Sequence, residues 1–302
     1  MSAMKLYRKG KVKEVYEVDN QTFLYRFTDN ISVFDKIIPS QIPRKGETLC
    51  KTSAHWLQAA ENIGMHTDFK ELTSPNEMLV QRVDVIEDYS KLDQNTKNYL
   101  IPLEVICRHY LAGSMHDRIK KGKVDAKKMG FPSQSVEYGT PFPEPLLEFT
   151  TKLEKVDRPV TEEEALEISG LTKTELDDIK ETTLKLDELM STEVGKRGLL
   201  HVDGKKEYAF DQERRLMLID TFGTADEDRW WDKKEYDEGR FVELSKEHVR
   251  QHYRRTGYHT ALTEAREKGE REPDIPPLPD KVVDEVSTLY VEMYKRLTGK
   301  DQ

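Results

Sequence analysis

The chain has 302 residues, with 48 Lys and Arg against 57 Asp and Glu, a formal charge of -9 at pH 7 and a hydrophobic fraction of 36%. That length carries a large core in one domain or two, and the composition belongs to folded globular proteins rather than disordered ones. An acidic balance argues against general nucleic-acid binding, which rests on neutralising phosphates, and no apolar run is long enough for a membrane span.

No secretory pattern opens the sequence, and Cys50 and Cys107 lack CxxC spacing, which reads as reduced thiols in a cytoplasmic protein. The first unusual stretch is RKGKVKEVY, residues 8–16, with four cations in nine residues. As a single strand it would point Lys9, Lys11 and Lys13 to one face, either a solvated edge that deters strand pairing or a cradle for phosphates. VYEVD, TFLYRFTD and MLVQRVDVI follow as strands, rich in β-branched and aromatic residues. KTSAHWLQAAENIG reads as a helix closed by Gly64.

In EVICRHYLAGS an apolar run ends at Arg108, and Gly113 and Ser114 follow. An Arg fork and a Ser hydroxyl suit a phosphate monoester, although a strand end with an ordinary turn reads the same. Helices are expected to start at Thr161 and Thr172, each with Glu three residues on. The second presents Leu176, Ile179, Thr183, Leu186 and Met190 on one face and stops near Gly195.

In LLHVDGKKEYAFD, alternation places Leu200, Val202, Tyr208 and Phe210 on one face and Asp203, Lys205 and Glu207 on the other. A hairpin centred between Glu213 and Arg214 would set Glu207 directly opposite Asp220 in RLMLIDTFG. Facing carboxylates are destabilising without a cation between them, and two carboxylates with phosphate oxygens are a usual Mg²⁺ arrangement. A solvent-facing charged hairpin neutralised by Lys205 is the competing reading. HVRQH, residues 248–252, has helical His spacing but lacks the glutamate of a zinc protease, and no P-loop or GxGxxG motif occurs. EREPDIPPLPDK is a stiff connector before an amphipathic terminal helix carrying Val282, Val286, Tyr290, Met293 and Leu297.

These elements imply an α+β protein of two lobes with antiparallel sheets and a C-terminal helical region. A β-rich lobe is expected over residues 1–115 and a larger lobe over 116–302.

Seven segments in chain order resemble the SAICAR synthetase family. KGKVKEVY is similar to that family's GKxKxVY, TDNISVFD to TDRISAFD, and IPRKGE to its IPGKG turn. PLEVICRHYLAGS follows PxEVIVRGYLAGS, and PEPLLEFTTKLEKVD resembles PxPxxTPSTKxxxxD. HVDGKKEYA is similar to VDxKxEFG, and DTFGTADEDRWW to DExxTPDSSRFW.

The resemblance implies a two-lobed fold related to ATP-grasp enzymes and an ATP-dependent ligase. Its substrates would be ATP, L-aspartate and carboxyaminoimidazole ribonucleotide (CAIR), and its products SAICAR, ADP and phosphate in purine biosynthesis. Carried over by position, Gly10, Lys11 and Lys13 would meet ATP phosphates, and Glu207 and Asp220 would hold Mg²⁺. Arg108, Ser114 and Arg229 would bind the ribonucleotide phosphate. Lys205, Asp226, Lys152 and Asp157 would surround the reacting groups.

Asn30, Arg44 and Thr221 depart from the pattern, and Glu227 and Asp228 bring two anions beside Arg229. IEDYSKLDQNTKNY, residues 86–99, reads as an insertion near the family's adenine site. A small-molecule kinase would share the cationic strip and the metal pair, and aspartate-dependent ADP release separates it from the ligase; a non-enzymatic nucleotide sensor would bind Mg-ATP without turnover, and a diverged paralogue would take a different acceptor.

Overall fold

A computed structural model describes residues 4–301. The N-terminal part is a five-stranded antiparallel sheet built from β1 (Lys5–Lys9), β2 (Lys13–Glu17), β3 (Thr22–Phe27), β6 (Phe69–Ser74) and β7 (Glu77–Gln81), in the order β1-β2-β3-β7-β6. A two-stranded ribbon, β4 (Asn30–Val33) and β5 (Lys36–Gln41), leads into helix α1 (Lys45–Asn62). Arg44, in the place of the pattern's glycine, takes the left-handed conformation at φ 67° to start α1.

The second sheet contains β8 (Tyr99–Tyr110), β9 (Pro141–Thr151), β10 (Pro159–Val160), β11 (Leu199–Phe210), β12 (Leu216–Ile219) and β13 (Arg229–Asp232). Its order is β10-β9-β8-β11-β12, with β13 also on β11. β8 thus lies N-terminal to residue 115 yet is hydrogen-bonded within the second sheet. α2 (Gly113–Lys120) follows β8, and α3 (Glu162–Ser169) and α4 (Lys173–Gly195) cross between the outer and central strands. α5 (Lys233–Asp237), α6 (Glu247–Arg255), α7 (Tyr258–Lys268) and α8 (Asp280–Thr298) complete the chain.

Thr161 and Thr172 cap α3 and α4, and Thr172 with Glu175 forms the reciprocal capping box. The expected stripe of α4, Leu176 to Met190, is buried against β11. α8 buries Val286, Tyr290, Met293 and Leu297, mostly against α1. No helix among the described residues is long and apolar enough to cross a membrane.

Two local expectations change. RKGKVKEVY is not one strand: Gly10 ends β1, its N–H reaches back to the Lys13 carbonyl at 2.8 Å, and β2 begins at Lys13. The lysines therefore diverge, Lys9 to Glu14 at 3.2 Å and Lys11 to Asp35 at 2.6 Å. The β11–β12 hairpin turns one half-step earlier than expected, so Glu207 faces Ile219 and not Asp220. The loop from Asp211 to Arg215 has odd length because the Asp211 carboxylate accepts from the N–H groups of Glu213 and Arg215, with Arg214 left-handed at φ 61°.

Candidate functional site

Between the two sheets lies a cleft of about 890 Å³. Its N-terminal wall is Tyr7, Arg8, Val15, Phe23 and Tyr25; its floor is Leu100, Glu104, Lys205, Glu207 and Ile219. Of the expected site residues, Gly10, Lys11, Lys13, Lys152, Asp157, Lys205, Glu207, Asp220 and Asp226 all line it. The half-step in register does not separate the two carboxylates. Asp220 lies just beyond β12 at φ 65°, a conformation costly for a side chain, and lines the same hollow as Glu207.

The floor holds alternating charges. Lys205 on β11 contacts Glu104 at 3.0 Å, Glu207 at 2.8 Å and Glu227 at 3.4 Å. Lys152, from the loop after β9, reaches Glu207 at 2.5 Å, and Lys13 pairs with Asp220. Burial alone would raise the Glu207 carboxyl, but Lys152 and Lys205 outweigh it and hold the group low. Burial lifts the neighbouring Glu104 carboxyl. Lys205 is held well above its ordinary value because Glu207, Glu227 and Glu104 outweigh burial. Asp157 is exposed at the rim.

Asp226 lies at one end, almost wholly buried. Its Oδ2 accepts from Lys45 at 2.8 Å and faces Lys246 at 3.5 Å, and its Oδ1 accepts from the Tyr290 hydroxyl. Burial opposes ionisation there, but Lys246 and Lys45 prevail and keep the carboxyl low. The loop leading to Asp226 turns at Gly223, φ 67°, where any Cβ would stand 2.5 Å from the Trp56 ring.

Arg108, Ser114 and Arg229 do not line this cleft. They gather at the other end of the same β11 face: Asp203 Oδ2 accepts from Arg108 at 3.1 Å and from Arg229 at 2.6 Å. Glu148 anchors Arg108 at 2.6 Å and Arg118 at 2.7 Å. Gly113 opens α2 so close to Arg229 that a Cβ would lie 2.6 Å from its Nη2, and Ser114 follows in the exposed first turn. Asp203 to Glu207 spans about 13 Å at strand rise.

The expected crowding of Arg229 by Glu227 and Asp228 does not occur. Asp228 turns to the back of the sheet, where it accepts from the Gly223 N–H at 2.9 Å and lies 2.7 Å from His201 Nε2. Glu227 faces Lys205 instead. The insertion at 86–99 contributes nothing to the cleft lining, although Val83 and Val85 just before it do.

Sequence reasoning missed Glu104, Lys246 and Arg250. Glu104 is four residues before Arg108 on one strand, so alternation alone placed it on the site face. Lys246 and Arg250 line the far wall, one helical turn apart at the start of α6.

The SAICAR synthetase family model matches residues 6–265. A phosphoribosylaminoimidazole-succinocarboxamide synthase of Thermoplasma acidophilum is 53% identical over 98% of this chain and 99% of its own. The chain belongs to the SAICAR synthetase family. Among solved SAICAR synthetases, the Saccharomyces cerevisiae enzyme complexed with SAICAR superposes with a TM-score of 0.73 at 25% identity, covering 99% of this chain and 96% of that one. A type-2 SAICAR synthetase in complex with ADP gives 0.69 at 23% identity, over 98% of both chains.

Proposed function

We propose that the chain joins L-aspartate to the carboxylate of CAIR at the expense of ATP, giving SAICAR, ADP and phosphate. Full-length similarity at 53% identity to a phosphoribosylaminoimidazole-succinocarboxamide synthase carries this reading. The cleft chemistry agrees with it. A carboxylate is a poor acylating agent until its oxygen takes the γ-phosphoryl group of ATP and ADP departs. The aspartate amine then attacks the acyl carbon, phosphate leaves with the C–O bond electrons, and the amine gives up a proton. Such transfers need positioning and charge stabilisation more than covalent help from the protein.

Glu207 and Asp220 present only carboxylate oxygens to one hollow, a donor set that fits Mg²⁺. Bound there, the ion would neutralise phosphate charge as the γ-group moves. Gly10, Lys11 and Lys13 line the wall where the triphosphate would lie. Lys152 and Lys205, now neutralised by Glu207 and Glu104, are placed to hold the reacting carboxylate, with Asp157 at the rim beside them. Arg108, Arg229 and Ser114 would bind the ribonucleotide phosphate at the far end of β11. Asp226, held by Lys45, Tyr290 and Lys246 at one end of the cleft, would lie near the reacting carboxylate and ribose.

The test is ADP release from the purified chain with ATP, Mg²⁺ and CAIR, with and without L-aspartate. Release that requires all components supports the ligase. Release indifferent to aspartate would make the protein a kinase, and none at all would refute both.

A further inference from the structure

The face of β8 turned away from the cleft carries a second group of chemistry-bearing side chains. Cys107 and His109 flank Arg108, so alternation sends them to the opposite side of the sheet, where Asp187 of α4 meets them. Cys107 Sγ is 3.9 Å from His109 Nε2, and that nitrogen is 3.4 Å from Asp187 Oδ2. In a tetrahedral zinc site, with Zn–S about 2.3 Å and Zn–N and Zn–O about 2.1 Å, neighbouring donors stand about 3.6 and 3.4 Å apart. The two contacts made by His109 Nε2 are close to those spacings, and the three donor atoms all lie within 4.8 Å of one another.

Cys107 and Asp187 are fully buried. Asp187 Oδ1 accepts from the Lys206 ammonium, which fixes the carboxylate, and its Oδ2 makes no well-aligned hydrogen bond although His109 Nε2 is 3.4 Å away. A buried carboxylate oxygen without a well-aligned bond calls for an explanation. Charge points the same way. Asp187 and Asp228 face a single ammonium, Lys206, with His201 completing the network. A divalent ion would add counter-charge where two buried carboxylates share one ammonium. Without a cation, burial pushes the thiol far up and keeps its proton on sulfur.

We propose that Cys107, His109 and Asp187 bind a zinc-class divalent ion with water as the fourth ligand. The ion takes the place of the thiol proton, which is released, and the thiolate–imidazole–carboxylate set selects it over Mg²⁺. Its effect is to tie β8 to α4 directly behind Arg108. In the family pattern the positions of Cys107 and His109 are Val and Gly, neither of which ligates, so the site does not follow from the family resemblance and stands whether or not the ligase reading holds.

The test uses the full chain in two forms. Protein produced in zinc-supplemented medium and gel-filtered in excess Mg²⁺ is measured for zinc by elemental analysis. Protein refolded with Co²⁺ is read for the thiolate-to-cobalt charge-transfer band. The expected result is one zinc per chain and a clear cobalt band. Cys107→Val should lower zinc content by about tenfold or more and abolish the band, since losing even an outer-shell partner costs about tenfold or more in metal affinity. Cys50→Ala should retain both signals. Zinc-free wild-type protein without a cobalt band, or a Cys107→Val variant that keeps them, overturns the proposal. If Cys107→Val does not fold, His109→Gln decides the same question, because it retains the thiol and a similar side-chain length.

Discussion

Replacing Asp226 with Asn keeps the side-chain shape but removes the charge that neutralises Lys45, whose side chain is 0% exposed. Breaking a buried pair by removing one partner costs about 3–5 kcal/mol, because the remaining charge cannot be solvated. The Asn carbonyl still accepts hydrogen bonds, and the partly exposed Lys246 loses little, so the low end applies, about 3 kcal/mol. For 302 residues, an unfolding entropy of about 2.1 cal/mol/K per residue gives roughly 0.6 kcal/mol/K, hence a fall in Tm of about 5 °C. Because the Asp226 carboxyl is held below its ordinary value, its stabilisation is present above the unfolded value and lost as pH falls, so the difference between wild type and variant should shrink in acid. The assay is urea or thermal unfolding of wild type, Asp226→Asn, Lys45→Met and the double variant. The double variant should recover much of the loss, since removing both charges also removes the buried-ion penalty. An Asp226→Asn protein within 1 kcal/mol of wild type, or a double variant whose losses simply add, would refute the reasoning.

Asp220→Asn should leave the circular-dichroism spectrum unchanged yet lower Mg²⁺-dependent ADP release by roughly 10²–10³, the scale of losing one preorganised charge contact; turnover within tenfold of wild type would remove Asp220 from the metal site. Arg108→Lys keeps a cation but loses the fork to Asp203 and Glu148, so KM for the ribonucleotide should rise at least about tenfold while KM for ATP hardly moves. An unchanged ribonucleotide KM would detach Arg108 from the phosphate. Burial lowers the His55 imidazole to about 4, whereas the unfolded chain takes up that proton near pH 6.5. Stability should therefore decline as pH falls from about 6.5 to 4, and His55→Gln should flatten that part of the urea-midpoint profile; parallel profiles would exclude His55 as the cause.

Much of this architecture was legible in residue order. The α4 stripe and its Thr172 cap were readable because a helix repeats one spatial rule over many residues. The members of the cleft followed from motif resemblance, and alternation along β11 placed Asp203, Lys205 and Glu207 together. The register of Asp220 was not legible, because it depends on Asp211 capturing two backbone amides and thereby moving the centre of the turn half a residue earlier. Nor was the fate of Asp228, which the chain turns behind the sheet to meet Lys206 and His201. Lys206 itself sits in a strand at a position facing α4, and only its partner on a distant helix explains a fully buried ammonium there.

The Tyr290 hydroxyl bears on the order in which the molecule is made. α8 is the last helix of the described chain, and it supplies a hydroxyl donor to Asp226, which in turn neutralises Lys45 at the start of α1. A ribosome that has delivered both sheets and every strand of the cleft has still not delivered the group that closes this knot. Nascent chains paused before residue 290 should hold every strand of both sheets and still lack the hydroxyl from which Asp226 accepts.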